Sequence, residues 1–171
     1  MTMNELPPEE TAIVPFTKRQ TVLVVDDTVK ILNIIKFFLE EEGFTVKITT
    51  QPEQGIEMAR RGGIDAIILD VMMPGLNGYQ VYEILKQDPK TASTPVIMLT
   101  ARAVIENTPR PFFYGVYGVL AKPFQRWKLV QMVKDVLEVT GKGVTQKEVE
   151  EAPDSEAPER PGGAGTGLSG S

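Results

Sequence analysis

Three aspartates, a threonine and a lysine are the residues with which this chain could do chemistry: Asp26, Asp27, Asp70, Thr100 and Lys122. Each stands at the end of a short apolar run. Asp26 and Asp27 follow TVLVV at 21–25, Asp70 follows AIIL at 66–69, Thr100 follows PVIML at 95–99 and Lys122 follows GVLA at 118–121. The sequence has neither cysteine nor histidine. Disulfides, zinc–thiolate sites, cysteine nucleophiles, imidazole metal sites and histidine-based triads are therefore excluded. What remains is chemistry by carboxylates, lysine, hydroxyls and a hard, oxygen-binding metal.

Taken singly, the acids have ordinary structural explanations. An acidic pair entering a helix is commonly an N-cap with a favourable dipole interaction, a place either Asp27 or Thr28 could fill. Together they ask for more. Three carboxylates at one edge of a sheet repel and raise one another's pKa unless a cation is present. Carboxylates, carbonyls and water are the ligands Mg²⁺ prefers. The set suits in-line attack of a carboxylate on a phosphoryl group. Asp70 would be the nucleophile, the acids would hold Mg²⁺, and Thr100 and Lys122 would bind oxygens that gain charge in the transition state.

The elements that must position these groups alternate. Thr21–Val25 is a continuously apolar, β-branched run, the mark of a strand buried on both faces. A helical period in Ile31, Ile34, Ile35, Phe38 and Leu39 follows and ends at Gly43. Phe44–Thr50 reads as a second, edge strand, and Pro52 opens a helix to about Arg61, closed by Gly62 and Gly63. Ala66–Leu69 is a third strand ending in Asp70, and Gly78 to Lys86 is a helix presenting Val81, Ile84 and Leu85. Pro95–Leu99 and Gly118–Ala121 are the fourth and fifth strands. A last helix, about Phe124–Val139, lines up Leu129, Val133, Val136 and Leu137. Such alternation predicts an open, doubly wound, five-stranded parallel sheet with ligands at the carboxyl ends of its strands.

The motifs VVDD at 24–27, ILDVMMPGLNG at 68–78, IMLTA at 97–101 and KPF at 122–124 resemble the receiver domain of two-component response regulators, over about residues 20–140. The resemblance implies a flavodoxin-like fold and phosphorylation of Asp70 by a histidine kinase or phosphotransfer protein. It implies Mg²⁺ on Asp26, Asp27, Asp70 and the backbone carbonyl of Met72. It further implies a phosphate contact from Thr100, a salt link from Lys122, and a cis Lys122–Pro123 bond that aims the lysine. The chain would then be a cytoplasmic signalling protein that catalyses only its own phosphotransfer and dephosphorylation.

Two regions depart from that family. The fourth helix is degenerate: in RAVIENTPRPFFYGVYG at 102–118, Pro109 and Pro111 break a helix, so at most a turn or two is expected, from Ala103 to Asn107. Phe112, Phe113, Tyr114 and Tyr117 crowd there, either covering the sheet or forming a docking surface for a downstream protein. Position 119, usually aromatic in the family, is valine, which puts the usual switch in doubt. Met72 and Arg102, two residues after Asp70 and Thr100, point to slow autodephosphorylation. Met58, Met98 and Met132 are expected to fill the core, and Trp127 simply to pack.

Composition agrees with a single domain between tails. The chain has 171 residues, 42% hydrophobic and 24% charged, with no run long enough to span a bilayer. Residues 1–19 read as a flexible lead-in without a secretory signal, and 141–171 as an acidic, then Gly/Pro/Ser-rich disordered tail. The formal charge of −5 falls mainly on that tail, so no direct nucleic-acid binding is expected. Two other functions compete: a phosphorylation-independent scaffold acting through residues 102–117, and an aspartyl-nucleophile phosphatase. The scaffold would not need a complete charged cluster, and the phosphatase would want a second acid where Met72 stands.

Overall fold

In the computed structural model the described residues are 19–107 and 115–141. The elements are β1 Thr21–Val25, α1 Val29–Glu41, β2 Thr45–Thr49, α2 Pro52–Arg60, β3 Ala66–Asp70 and α3 Gly78–Gln87, then β4 Val96–Ala101, α4 Arg102–Asn107, β5 Gly118–Lys122 and α5 Arg126–Gly141. All strand pairs are parallel, and the spatial order is β2-β1-β3-β4-β5. The order reverses between β1 and β3, which creates a crevice at their carboxyl ends. This is the flavodoxin-like architecture expected.

The sheet is buried on both faces because the central strands are almost wholly apolar up to their carboxyl ends. On one face Val22, Val24, Ile68 and Leu99 meet Leu32, Ile35 and Leu39 of α1 and Leu129, Val133 and Val136 of α5. On the other, Leu23, Val25, Ile67, Leu69 and Met98 meet Ile56 and Ala59 of α2 and Val81 and Leu85 of α3. Adjacent strand residues point to opposite faces, so one five-residue run serves two cores. Glycine closes α1: Gly43 takes φ +89° just beyond the C-cap Glu42, a turn other residues adopt only with strain.

Several boundaries shift by a residue or two from the sequence pattern. β4 begins after Pro95, which has no N–H to give the ladder, and runs on through Thr100 and Ala101 because these pair with Ala121 and Lys122 of β5. α5 starts two residues later than the pattern, where Lys128 and Leu129 donate to the Gln125 carbonyl. α4 spans six residues, matching the short helix expected before Pro109. Trp127, expected simply to pack, lies at the surface. It is 65% exposed, and its indole N–H donates to the Gln125 side-chain oxygen. The helical face toward the sheet is already filled by Leu129, Val130 and Val133.

α1 and α5 are also joined across their exposed ends. Arg126 donates to Glu41 at 2.8 Å and Glu42 at 3.1 Å, Lys134 donates to Glu42 at 2.7 Å, and Arg126 lies over the Phe38 ring. Ion pairs this exposed contribute little beside buried methylenes. Leu129→Ala should therefore cost about 2–5 kcal/mol in urea denaturation. Arg126→Ala should move the midpoint far less, with an effect that fades as salt is added.

Candidate phosphoryl and cation site

The carboxyl ends of β1, β3, β4 and β5 bring polar groups to the same edge, two acids from β1 and one group from each of the others. Asp26, fully buried, accepts from the Thr28 backbone N–H at 2.8 Å through Oδ1 and from Lys122 Nζ at 2.6 Å through Oδ2. The same Lys122 ammonium is 3.2 Å from Asp70 Oδ1. Asp70 is 3% exposed, and its Oδ1 also accepts from the Met72 N–H at 3.4 Å. Asp27 is exposed and accepts from the Thr28 hydroxyl at 3.3 Å. Thr28 is the N-cap of α1 but makes no side-chain capping bond. The acidic pair is thus not explained as a helix cap.

One ligand oxygen from each of Asp26, Asp27 and Asp70 can be chosen so that all lie within 4.8 Å of one another. That spacing and an all-oxygen donor set fit a hard divalent cation. Met72, whose carbonyl was expected to join them, is 62% exposed at the rim. The Lys122–Pro123 bond is cis.

Electrostatics follow from burial. The Asp70 carboxyl is raised from 3.8 to about 6, first by desolvation and then by the Asp26 charge, while Lys122 and the Met72 N–H pull it down. Thr100 is fully buried, one residue beyond Leu99, the ladder partner of Asp70. Its Oγ1 is a buried side-chain atom without a hydrogen-bond partner among the described residues. A buried hydroxyl left unmatched costs on the order of 1–3 kcal/mol, so such groups mark places where a ligand completes the bonding.

The aromatic segment is only partly described. Phe112, Phe113 and Tyr114 lie outside the described residues. Tyr117 is 39% exposed and shares a shallow groove of about 230 Å³ with Trp127, Gly118 and Met132. Trp127 is thus a surface aromatic. Its neighbours give the available signal: at 126–128, RWK sets it between two charged residues. Val119 pairs with Met98 and packs on the second core. Arg102 is exposed at the start of α4.

Comparison with known proteins agrees with this architecture. The family model of the response regulator receiver domain matches residues 22–134. Among curated proteins, the uncharacterized transcriptional regulatory protein YkoG of Bacillus subtilis is 36% identical over 121 residues, covering 70% of this chain and 52% of YkoG. The heme response regulator HssR of Staphylococcus epidermidis is 34% identical over 115 residues, covering 67% and 50%. The chain spans about half the length of the curated relatives it matches. Among solved structures, a response regulator receiver domain protein of Clostridium thermocellum superposes with TM-score 0.66 at 27% identity, covering 72% of this chain and 98% of that one. The receiver domain of the Pseudomonas aeruginosa sensor histidine kinase PA1611, which holds a magnesium ion coordinated in its active site cleft, superposes with TM-score 0.64 at 28% identity, covering 71% and 99%.

Two measurements test the site without any substrate. With Asp70 at about 6 rather than 3.8, the native state holds a proton on this carboxyl more tightly than the unfolded chain does. Asp70 therefore lowers stability as pH rises through that window, and the penalty is complete above it. Asp70→Asn should be more stable than the wild type by on the order of 3 kcal/mol at pH 8 without divalent metal, and equal to it near pH 3. Thr100→Val, which removes the unmatched hydroxyl, should leave the urea midpoint unchanged or raise it.

Proposed function

The chain belongs to the response regulator receiver family, and on that premise we propose that Asp70 accepts a phosphoryl group from the phosphohistidine of a kinase or phosphotransfer protein. The observation that carries the reading is the gathering of Asp26, Asp27 and Asp70 within 4.8 Å, with Lys122 ion-paired to Asp70.

In the transfer, an Asp70 carboxylate oxygen attacks phosphorus in line and the phosphorus–nitrogen bond to the donor imidazole breaks. The donor ring, protonated on its other nitrogen, leaves as neutral imidazole with the bonding electron pair. Mg²⁺, held by Asp26, Asp27, Asp70 and the Met72 carbonyl, would supply positive charge against the phosphoryl oxygens. Lys122 is the protein's own cation at Asp70 and turns toward an oxygen of the new acyl phosphate. The Thr100 hydroxyl donates to another, and the bond it lacks is thereby made. Asp70 must be ionised to attack, so labelling should rise with pH through about 6 in metal-free terms, and bound cation should move that rise lower.

Output is by protein contact. Tyr117 and Trp127, which share one groove, offer an exposed aromatic pair to a downstream partner.

Acetyl phosphate with Mg²⁺, followed by Phos-tag electrophoresis and mass spectrometry, tests the assignment. The wild type should gain one phosphoryl group, and Asp70→Asn none. Thr100→Val should be labelled roughly 10²-fold more slowly, the usual loss for one transition-state donor. Because Met72 carries no group able to orient a water, the label should persist far beyond seconds. Labelling that survives Asp70→Asn, or is absent from the wild type, would leave the phosphorylation-independent scaffold as the better reading.

A further inference from the structure

We propose that Gly78 is a positioning residue for the phosphoacceptor and for the Met72 carbonyl, acting through the space it leaves empty. The proposal rests on the reading of Asp70 and Met72 given above. Gly78 is buried, is the first residue of α3, and has none of the positive φ that usually explains a loop glycine. Its requirement is room. A Cβ built on Gly78 would overlap the Asp70 carbonyl oxygen, stand 2.7 Å from Val71 Cα and 2.9 Å from the Asp70 carbonyl carbon. All three obstructing atoms are backbone, so no side-chain rotation relieves them.

The chain uses this closeness. The Gly78 N–H donates to the Val71 carbonyl at 2.9 Å, while the Val71 N–H donates to Leu99 of β4 at 3.0 Å. The peptide units just after Asp70 are thereby clamped between a strand and the first turn of a helix. That turn is itself held by a capping box, in which the Asn77 side chain accepts from the Gln80 N–H and the Gln80 side chain accepts from the Asn77 N–H. The clamp therefore sits one residue from Met72 on one side and touches Asp70 on the other. Any side chain at 78 must lift α3 or push the Asp70–Met72 backbone toward the pocket. A shift of a few tenths of an ångström in a carboxylate and a carbonyl that share one cation is what such sites tolerate least.

Gly75, in the same loop, makes the opposite demand. It has φ +80°, and a Cβ placed on it would meet nothing within 4 Å, so it needs a left-handed backbone and has space to spare. Asparagine tolerates that conformation. The two glycines thus separate conformation from space.

The test uses the full chain, Mg²⁺ alone by calorimetry, and acetyl phosphate labelling at saturating Mg²⁺. Gly78→Ala should weaken the Mg²⁺ dissociation constant at least tenfold and slow maximal labelling at least tenfold. Gly75→Asn should stay within twofold of the wild type in both. Leu137→Ala, in the last third of α5 and so toward the opposite end of the sheet, supplies a destabilised control whose Mg²⁺ affinity and maximal rate should also stay within twofold. Wild-type values for Gly78→Ala, equal losses in Leu137→Ala, or a Gly78→Ala chain that remains unfolded in stabilising sucrose would each overturn the proposal and assign Gly78 to the scaffold. A wild type that neither binds Mg²⁺ nor takes the label would instead sink the phosphoacceptor reading, and this inference with it.

Discussion

The Lys122 ammonium lies 2.6 Å from one buried carboxylate and 3.2 Å from another, and the rest of the fold is built around that cluster of charge. Two carboxylates this deep could not both ionise without a cation, and one lysine against two acids leaves negative charge uncompensated. Burial first, and the Asp26 charge second, hold the Asp70 carboxyl near 6 in spite of Lys122. A pocket with these charges is one that a divalent cation would complete. The protein gives up stability to keep a site that added charge completes.

That concession requires a rigid frame. β1, β3 and β4 are buried at every position through the residues before the site, and helices cover both faces, so the strand ends have little freedom to separate and relieve the repulsion. The backbone beneath Asp70 is tied on both sides, to β4 through Val71 and to α3 through Gly78. Thr100 waits within the ladder with its hydroxyl unmatched. Close packing and an unfilled bonding capacity stand side by side, which is what a preorganised site needs.

The receiving chemistry and the surface that would report it are built differently. The first depends on strand ends and is enclosed. The second begins at α4, six residues long, and continues with exposed Tyr117 and Trp127 on the outer side of β5 and α5. With Val119 packed where the family usually has an aromatic residue, the surface aromatics lie outside the core rather than within it.

Much of this was legible in the sequence because burial on both faces of a parallel strand permits few residue types. TVLVV and AIILD announce their strands, the loops between them are short, and polar groups at their ends have only one edge to occupy. Asp26, Asp27, Asp70, Thr100 and Lys122 could therefore be placed together from residue order alone. Trp127 could not be placed, since whether a helical residue faces the sheet or solvent depends on how the whole helix is rotated, and Leu129, Val130 and Val133 take the inner face. Nor could the sequence decide which acid Lys122 approaches most closely, that Thr100 lacks a partner, or that Gly78 is needed for space and Gly75 for its backbone angle. These follow from distances between segments far apart in the chain. The sequence by itself determined which groups meet; only the tertiary structure decided how closely, because packing, rather than local preference, sets the last ångström.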